Sequence, residues 1–335
     1  MKRHIMLVVL LFVLVACGRN SAEMKLVEKP EEVSEIETQI SKPEIEPEIK
    51  PEPEIEEELL LEDDLTEEIE SEEIEQEEPE LLEEETVIQE SKPIVTPVYG
   101  SAFLSDGTIS NKSLGWGFRK NTEHQPPPPP EEFDIYQFNA YYLGDTSEKV
   151  VYLTFDEGYE NGYTGRILDV LKEKDAHAAF FMTGSYIKRN PELVQRIANE
   201  GHLGVNHSYT HPSFPELTEE QIIFEIEEPA RIYQELTGQE MPKYIRPPQG
   251  VYSARALQIT SEQGYKSIFW SFAYQDWLVD NQPTPQEAHD NVLANHHNGA
   301  IILLHAVSSA NTDALPQIID SLRDAGYRFG SLEEL

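Results

Sequence analysis

The chain has 335 residues, 63 of them acidic and 25 basic, for a formal net charge of −38 with histidine neutral. That balance argues against general nucleic-acid binding, which needs clustered Lys and Arg to displace counterions from phosphates. A single cysteine rules out an intrachain disulfide. The charge is uneven: residues 21–98 hold 30 acidic against 5 basic side chains, whereas residues 99–335 hold 33 against 17. The second part is long enough for one sizeable core or a barrel.

In chain order, the first element is a basic start, Lys2-Arg3, followed by an apolar run from Ile5 to Ala16. At this length the run falls short of the roughly 20 residues of a spanning helix and reads as a secretory signal, residues 1–16. It ends Leu14-Val15-Ala16-Cys17, which resembles the lipobox of bacterial lipoproteins. The resemblance implies diacylglycerol on Cys17 and an exported protein, lipid-anchored on the outer face of the bacterial cytoplasmic membrane and facing the cell wall. Two or more acyl chains anchor stably where one is marginal. The alternative is a structural cysteine at the end of an ordinary signal.

Residues 17–98 read as an acidic, disordered tether. From Ser21 to Val98 there is no aromatic residue, and like charges repel along runs rich in Glu, Pro and Ile. As a coil, about 78 residues span on the order of 50 Å. All 15 Tyr and 3 Trp lie beyond this point. Residues 99–147 read as a non-repetitive lead-in packed on the main domain, with the run Pro126–Pro130 as a stiff, extended strap.

From residue 148 onward, strands alternate with helices. The predicted strands are Val150–Phe155, Ala178–Met182, His202–His207, Tyr244–Arg246, Ser267–Phe272, Ala300–His305 and Tyr327–Phe329. Helices are predicted through Leu168–Leu171, from Pro191, over Thr218–Thr237, from Ser253, after Pro285 and near Leu315–Ala325. About seven parallel strands with helices outside make an α/β fold, open or closed into a barrel.

Polar residues then collect at the strand ends, where barrels of this kind carry their chemistry. His207 and His211, four residues apart, offer two imidazoles to a divalent metal, and Glu157 would complete a set of three. Such a metal polarises a carbonyl. Asp156 would serve as general base on water, oriented and kept ionised by Arg246. His305 would serve as general acid toward a departing amine, with Asp276 holding its ring protonated. The set describes metal-assisted hydrolysis of an amide or ester.

These residues carry a resemblance. Thr154-Phe155-Asp156-Glu157-Gly158, His207-Ser208-Tyr209-Thr210-His211, Arg246-Pro247-Pro248-Gln249-Gly250, Asp276-Trp277 and Leu303-Leu304-His305 resemble, in order, the five motifs of polysaccharide deacetylases, carbohydrate esterase family 4. The resemblance covers 149–335 and implies a distorted (β/α) barrel and the removal of acetyl groups from sugars. It also implies a divalent metal, zinc first with cobalt or manganese as alternatives. Trp277 and Pro247 become walls of the pocket for the acetyl methyl. Upstream, Trp116-Gly117-Phe118-Arg119-Lys120-Asn121-Thr122-Glu123-His124, Tyr142-Leu143-Gly144-Asp145-Thr146 and Gly158-Tyr159-Glu160-Asn161-Gly162-Tyr163-Thr164 look like the branch acting on N-acetylmuramic acid of peptidoglycan. That branch makes muramic δ-lactam, on glycan strands first stripped of peptide by an N-acetylmuramoyl-L-alanine amidase. Sporulation is its usual setting, but a lipobox and long tether are not features associated with it.

Glu157 stands where the motif usually has Asp; its extra methylene implies a weakly held metal. Arg166 is a candidate for a bidentate contact to the muramic carboxylate. His296 and His297 read as a helix end, where cationic side chains suit the dipole, and His177 and His202 as structural or exposed. Other readings stay open: a deacetylase of glucosamine in peptidoglycan, of chitin or of xylan, or a catalytically weak wall-binding lipoprotein.

Overall fold

The apolar, β-branched run beginning at Val150 builds the central strand, β1 (Val150–Glu157), and all eight of its residues are buried. Around it the chain adds α1 (Thr164–Glu173), β2 (Ala179–Met182), α2 (Gly184–Arg189), α3 (Pro191–Asn199), β3 (Leu203–Asn206), α4 (Glu219–Thr237), β4 (Tyr244–Ile245), α5 (Ala254–Glu262), β5 (Lys266–Ile268), α6 (Pro285–Asn295), β6 (Ala300–His305), α7 (Ser309–Asp324) and β7 (Arg328–Phe329). The computed structural model describes residues 99–335 except Asn121. The signal sequence, Cys17 and the acidic tether lie outside the described residues.

The strands run parallel in a curled sheet, β1 between β2 and β6, with β3, β4 and β5 continuing beyond β2. β7 pairs with the first residues of β1. This is the predicted distorted barrel with its seven parallel strands. Closure comes from two places. A parallel bridge joins Phe272 to Ile302 near the upper rim. Lower down, the lead-in supplies a strand that periodicity does not reveal: Ala140–Tyr141 pairs parallel with β5, and Leu143 bridges Ala300 on β6. Backbone groups that would otherwise be left open are thereby satisfied, with Phe269 N donating to Tyr141 O at 2.8 Å and Gly144 N to Gly299 O at 2.9 Å. Gly144 is required here, because a Cβ at that position would lie 2.1 Å from a Tyr152 ring carbon.

Trp116 in the lead-in stacks on Phe269 with ring centroids 4.3 Å apart and donates Nε1–H to Trp270 O at 2.9 Å. Phe133, Phe138 and Tyr142 bury themselves in the same cluster, against Tyr252 and Leu257. On the other side, Ile167, Leu168 and Leu171 of α1 join Leu315, Ile318 and Ile319 of α7 against Val151 and Phe155. Each fully buried side chain of this kind contributes about 1.5–3 kcal/mol.

Thr218 caps α4 through a reciprocal pair of bonds with Gln221. α7 begins at Ser309, a turn and a half before the predicted start. Pro316 lies inside the helix. The short α2 is likewise absent from the sequence reading. Among the described residues, no helix is long and apolar enough to cross a membrane.

Candidate active site

Parallel register places Asp156 of β1 directly beside His305 of β6. Thr154 and Asp156, two apart, face the same side of the strand. Arg246, the residue after β4, reaches both: its Nη1 lies 2.5 Å from Asp156 Oδ1, its Nη2 lies 2.9 Å from Thr154 Oγ1, and Nε donates to Ile268 O at 3.2 Å. The guanidinium is fully buried, 3.9 Å from the centroid of the Phe181 ring. Burial alone would raise the Asp156 pKa, but the charge of Arg246 and its hydrogen bond, together with the charge of His305, outweigh it and hold the carboxyl below its usual range.

β3 ends at Asn206, and the next five residues make a tight turn carrying both predicted metal ligands. Ser208 and His211 sit at φ 65° and 63°, sparsely populated for residues with a side chain. Three groups hold that backbone. Asn206 Oδ1 accepts from Ser208 N at 2.8 Å, Ser208 Oγ accepts from His211 N at 2.9 Å, and Glu225 of α4 accepts from Tyr209 N and Thr210 N at 2.9 and 2.7 Å. The turn folds His211 back on His207, with their Nε2 atoms 3.2 Å apart. His207 Nδ1 lies 3.0 Å from the Arg246 carbonyl oxygen. A carbonyl only accepts, so Nδ1 carries the proton and Nε2 presents its lone pair. Burial pushes the His207 pKa down to about 4 and lowers that of His211 as well, so both rings are neutral. Two convergent, uncharged imidazoles fit a divalent cation, and Asp156 Oδ2 lies 3.6 Å from His207 Nε2.

The predicted third ligand does not join them. β1 continues straight through residue 157, so Glu157 points to the opposite side from Asp156. Its carboxylate accepts from Thr164 Oγ1 at 3.1 and 3.3 Å, in a buried site near Glu160 and Tyr186. Burial, reinforced by the nearby Glu160 charge, raises its pKa well above the ordinary carboxyl value. Among the described residues, no three His, Cys, Asp or Glu side chains form a metal-holding group.

Across the cleft, His305 Nδ1 lies 2.6 Å from Asp276 Oδ1, and Asp276 Oδ2 accepts from Asn311 Nδ2 at 2.6 Å. Asn311 Oδ1 in turn accepts from the Tyr274 hydroxyl. Burial lowers the His305 pKa, but the bond to Asp276 and the charges of Asp276 and Asp156 reverse this, and the net shift is upward.

The cleft has two arms, of about 630 and 410 Å³, that share Asp156, His207, His211, Trp277 and His305. Trp277 stands between them, 47% exposed, with its ring centroid 5.3 Å from that of His305. Pro247, predicted as a wall, is instead buried and lines neither arm. The turn Pro248–Gly250 presents Gln249 in its place, at φ 59°. Arg166 lies outside the cleft too; it is exposed on α1 and pairs with Asp313 of α7 at 2.6 Å. His296 and His297 carry no charge to the end of α6, since burial lowers both pKa values. His177 is exposed and His202 is buried against Phe180, both away from the cleft.

Residues 143–268 match the polysaccharide deacetylase family. An uncharacterised 30.6 kDa protein of Geobacillus stearothermophilus is 47% identical over 233 residues, covering 69% of this chain and 88% of the relative. The peptidoglycan-N-acetylmuramic acid deacetylase PdaA of Bacillus subtilis is 42% identical over 229 residues, covering 68% and 87%. The chain belongs to the polysaccharide deacetylase family. The solved structure of Bacillus subtilis PdaA, described as a family 4 carbohydrate esterase, superposes with a TM-score of 0.65 at 41% identity, over 68% of this chain and 98% of that one.

Four supports of this deacetylase fold escape sequence reasoning: Asn206, Glu225, Tyr274 and Asn311. Only Glu225 left a signal, a carboxylate on the same buried face of α4 as Ile222, Ile226 and Pro229.

Proposed function

We propose that the chain hydrolyses the acetamide of N-acetylmuramic acid in peptidoglycan, leaving an amine on which the lactyl carboxyl can close to muramic δ-lactam. The observation that carries the reaction type is the pairing across adjacent strands of Asp156, held ionised by Arg246, with His305, held protonated by Asp276. A base and an acid with pKa values pushed apart are what amide hydrolysis needs. The muramic preference rests on the likeness to the muramic acid deacetylase of Bacillus subtilis and on the lead-in strings around Trp116 and Tyr142.

Asp156 takes a proton from water as its oxygen adds to the acetamide carbon. His305 then delivers a proton to the sugar nitrogen as the carbon–nitrogen bond breaks, releasing acetate and the free amine. Arg246 keeps the base oriented during this exchange. Trp277, between the two arms, shields the reacting carbonyl from bulk water. His207 and His211 would hold a divalent metal, zinc first with cobalt or manganese as alternatives. When bound, the metal supplies Lewis-acid polarisation of the scissile carbonyl. With two imidazoles and no third ligand from Glu157, binding is weak. Lipidation at Cys17 and the acidic tether would place this domain in the wall outside the membrane. A free lactyl carboxyl further requires prior peptide removal by an amidase.

The test is acetate release from purified, peptide-stripped glycan, with the deacetylated sugar mapped by mass spectrometry. Acetate lost from muramic residues, and abolished by Asp156→Asn, supports the reading. Loss from glucosamine alone moves the chain to a different substrate.

A further inference from the structure

We propose that Lys120 is the residue that recognises the substrate's anionic group, the lactyl carboxylate of a peptide-free muramic residue; this rests on the reading just given. Among the described residues lining the two arms of the cleft, Lys120 is the one Lys or Arg. Other cations near the site are committed elsewhere. Arg246 lies beneath the floor, bonded to Asp156, Thr154 and Ile268. Arg166 pairs with Asp313, and Lys188 donates to the Tyr209 hydroxyl at 2.8 Å.

Lys120 makes no ion pair among the described residues. It is exposed, with its Nζ 5.7 Å from the centroid of the buried Phe272 ring. Phe118 packs edge-on to that same ring at 6.3 Å, which fixes the wall from which the ammonium projects. Lys120 also borders a neighbouring depression containing Glu287, but Glu287 Oε2 is occupied by Thr284 N and Oγ1 at the cap of α6. The ammonium is therefore left for a ligand on the cleft side.

Charge makes the assignment consequential. Residues 99–335 carry 33 acidic and 17 basic side chains, and the cleft floor holds the Asp156 carboxylate. An anionic sugar entering this field is repelled unless a cation meets it. In muramic acid the carboxylate hangs from C3, beside the C2 acetamide, so a sugar placed with its acetamide at Asp156 and His305 carries its charge into the cleft. A lysine supplies a point charge on a flexible stem, suited to a carboxylate on a rotatable ether arm.

The experiment compares full-length wild type, Lys120→Gln and Lys120→Arg on two glycans: peptide-stripped strands with free lactyl carboxylates, and the same strands with those carboxyls converted to methylamides. The readout is the ratio of kcat/KM between them. In wild type the ratio favours the carboxylate; in Lys120→Gln it falls about tenfold, through KM, and in Lys120→Arg it is largely restored. A ratio unmoved by Lys120→Gln, whether or not both activities drop, overturns the assignment while leaving the muramic reading intact. Wild type that releases acetate only from glucosamine overturns the muramic reading itself, and the assignment with it.

Discussion

Asp276 grips His305 at two points, Oδ1 lying 2.6 Å from the ring Nδ1 and Oδ2 accepting from the backbone N at 2.8 Å. One contact raises the basicity of the ring and the other fixes its place at the end of β6. Asp276→Asn weakens both. We expect kcat to fall roughly 10²- to 10⁴-fold, the range for a positioned acid. In wild type the raised pKa keeps His305 protonated above 6.5, and activity declines as pH rises through the raised value. In the variant that alkaline limb moves down, because burial is then opposed by less negative charge. A kcat/KM–pH profile measures the shift. Stability follows the same sign: the contribution of the pair is complete below the unfolded value of 6.5 and is lost as pH climbs through the folded one.

Arg246→Met examines the opposite pole. Removing a buried partner strands the Asp156 carboxylate, at a cost of about 3–5 kcal/mol. With burial no longer countered by the guanidinium, the Asp156 pKa rises and the acid limb of the activity profile moves toward neutrality. In wild type the Asp156 contribution to stability is present above the unfolded value of 3.8 and fades as pH falls through the lowered folded value. Chemical denaturation at several pH values, alongside the rate profile, reports both effects.

The barrel and most of the polar residues that meet in the cleft are legible in the sequence because strand ends repeat one pattern: an apolar run followed by an acid, a base or an imidazole. Misreadings arise where one residue of register matters. Ending the first strand at Phe155 leaves both Asp156 and Glu157 free to turn inward; extending β1 to residue 157 forces them to opposite faces. Ala140–Tyr141 is too short to show periodicity, and its pairing with β5 is a tertiary choice. Arg166 had the right chemistry for a carboxylate but found one on its own surface, Asp313.

The position of Glu157 makes a prediction opposite to its motif. Buried on the opposite face of β1 from Asp156 and bonded to Thr164, it should be replaceable by its amide isostere: Glu157→Gln should change metal affinity and activity by no more than about threefold. His207→Gln and His211→Gln should each weaken metal binding by more than roughly 100-fold, as loss of a direct ligand exceeds loss of its supports. Titration calorimetry with Zn, Co, Mn and Mg separates the two cases. Exhaustive chelation should abolish turnover, which the same metals then restore to different extents.

Glu225 offers the sharpest separation of scaffold from chemistry. It touches neither imidazole, yet its Oε2 accepts from Tyr209 N and Thr210 N, and its Oε1 accepts from Thr210 Oγ1 at 2.6 Å. These bonds hold the turn in which Ser208 and His211 keep left-handed backbone angles. Glu225→Ala leaves two backbone donors without a partner, which costs about 2–4 kcal/mol in a partly buried loop, and frees His211 to swing from His207. Metal affinity should fall roughly 10- to 100-fold, the range for groups that orient ligands. Glu225→Gln keeps one carbonyl oxygen for the two backbone donors, and its amide can donate to Thr210 Oγ1, so it should retain most of both quantities. If the carboxylate acted instead through its charge on the imidazoles, Glu225→Gln would be as damaging as Glu225→Ala. Thermal melts and metal titrations of the two variants decide between support by shape and support by charge.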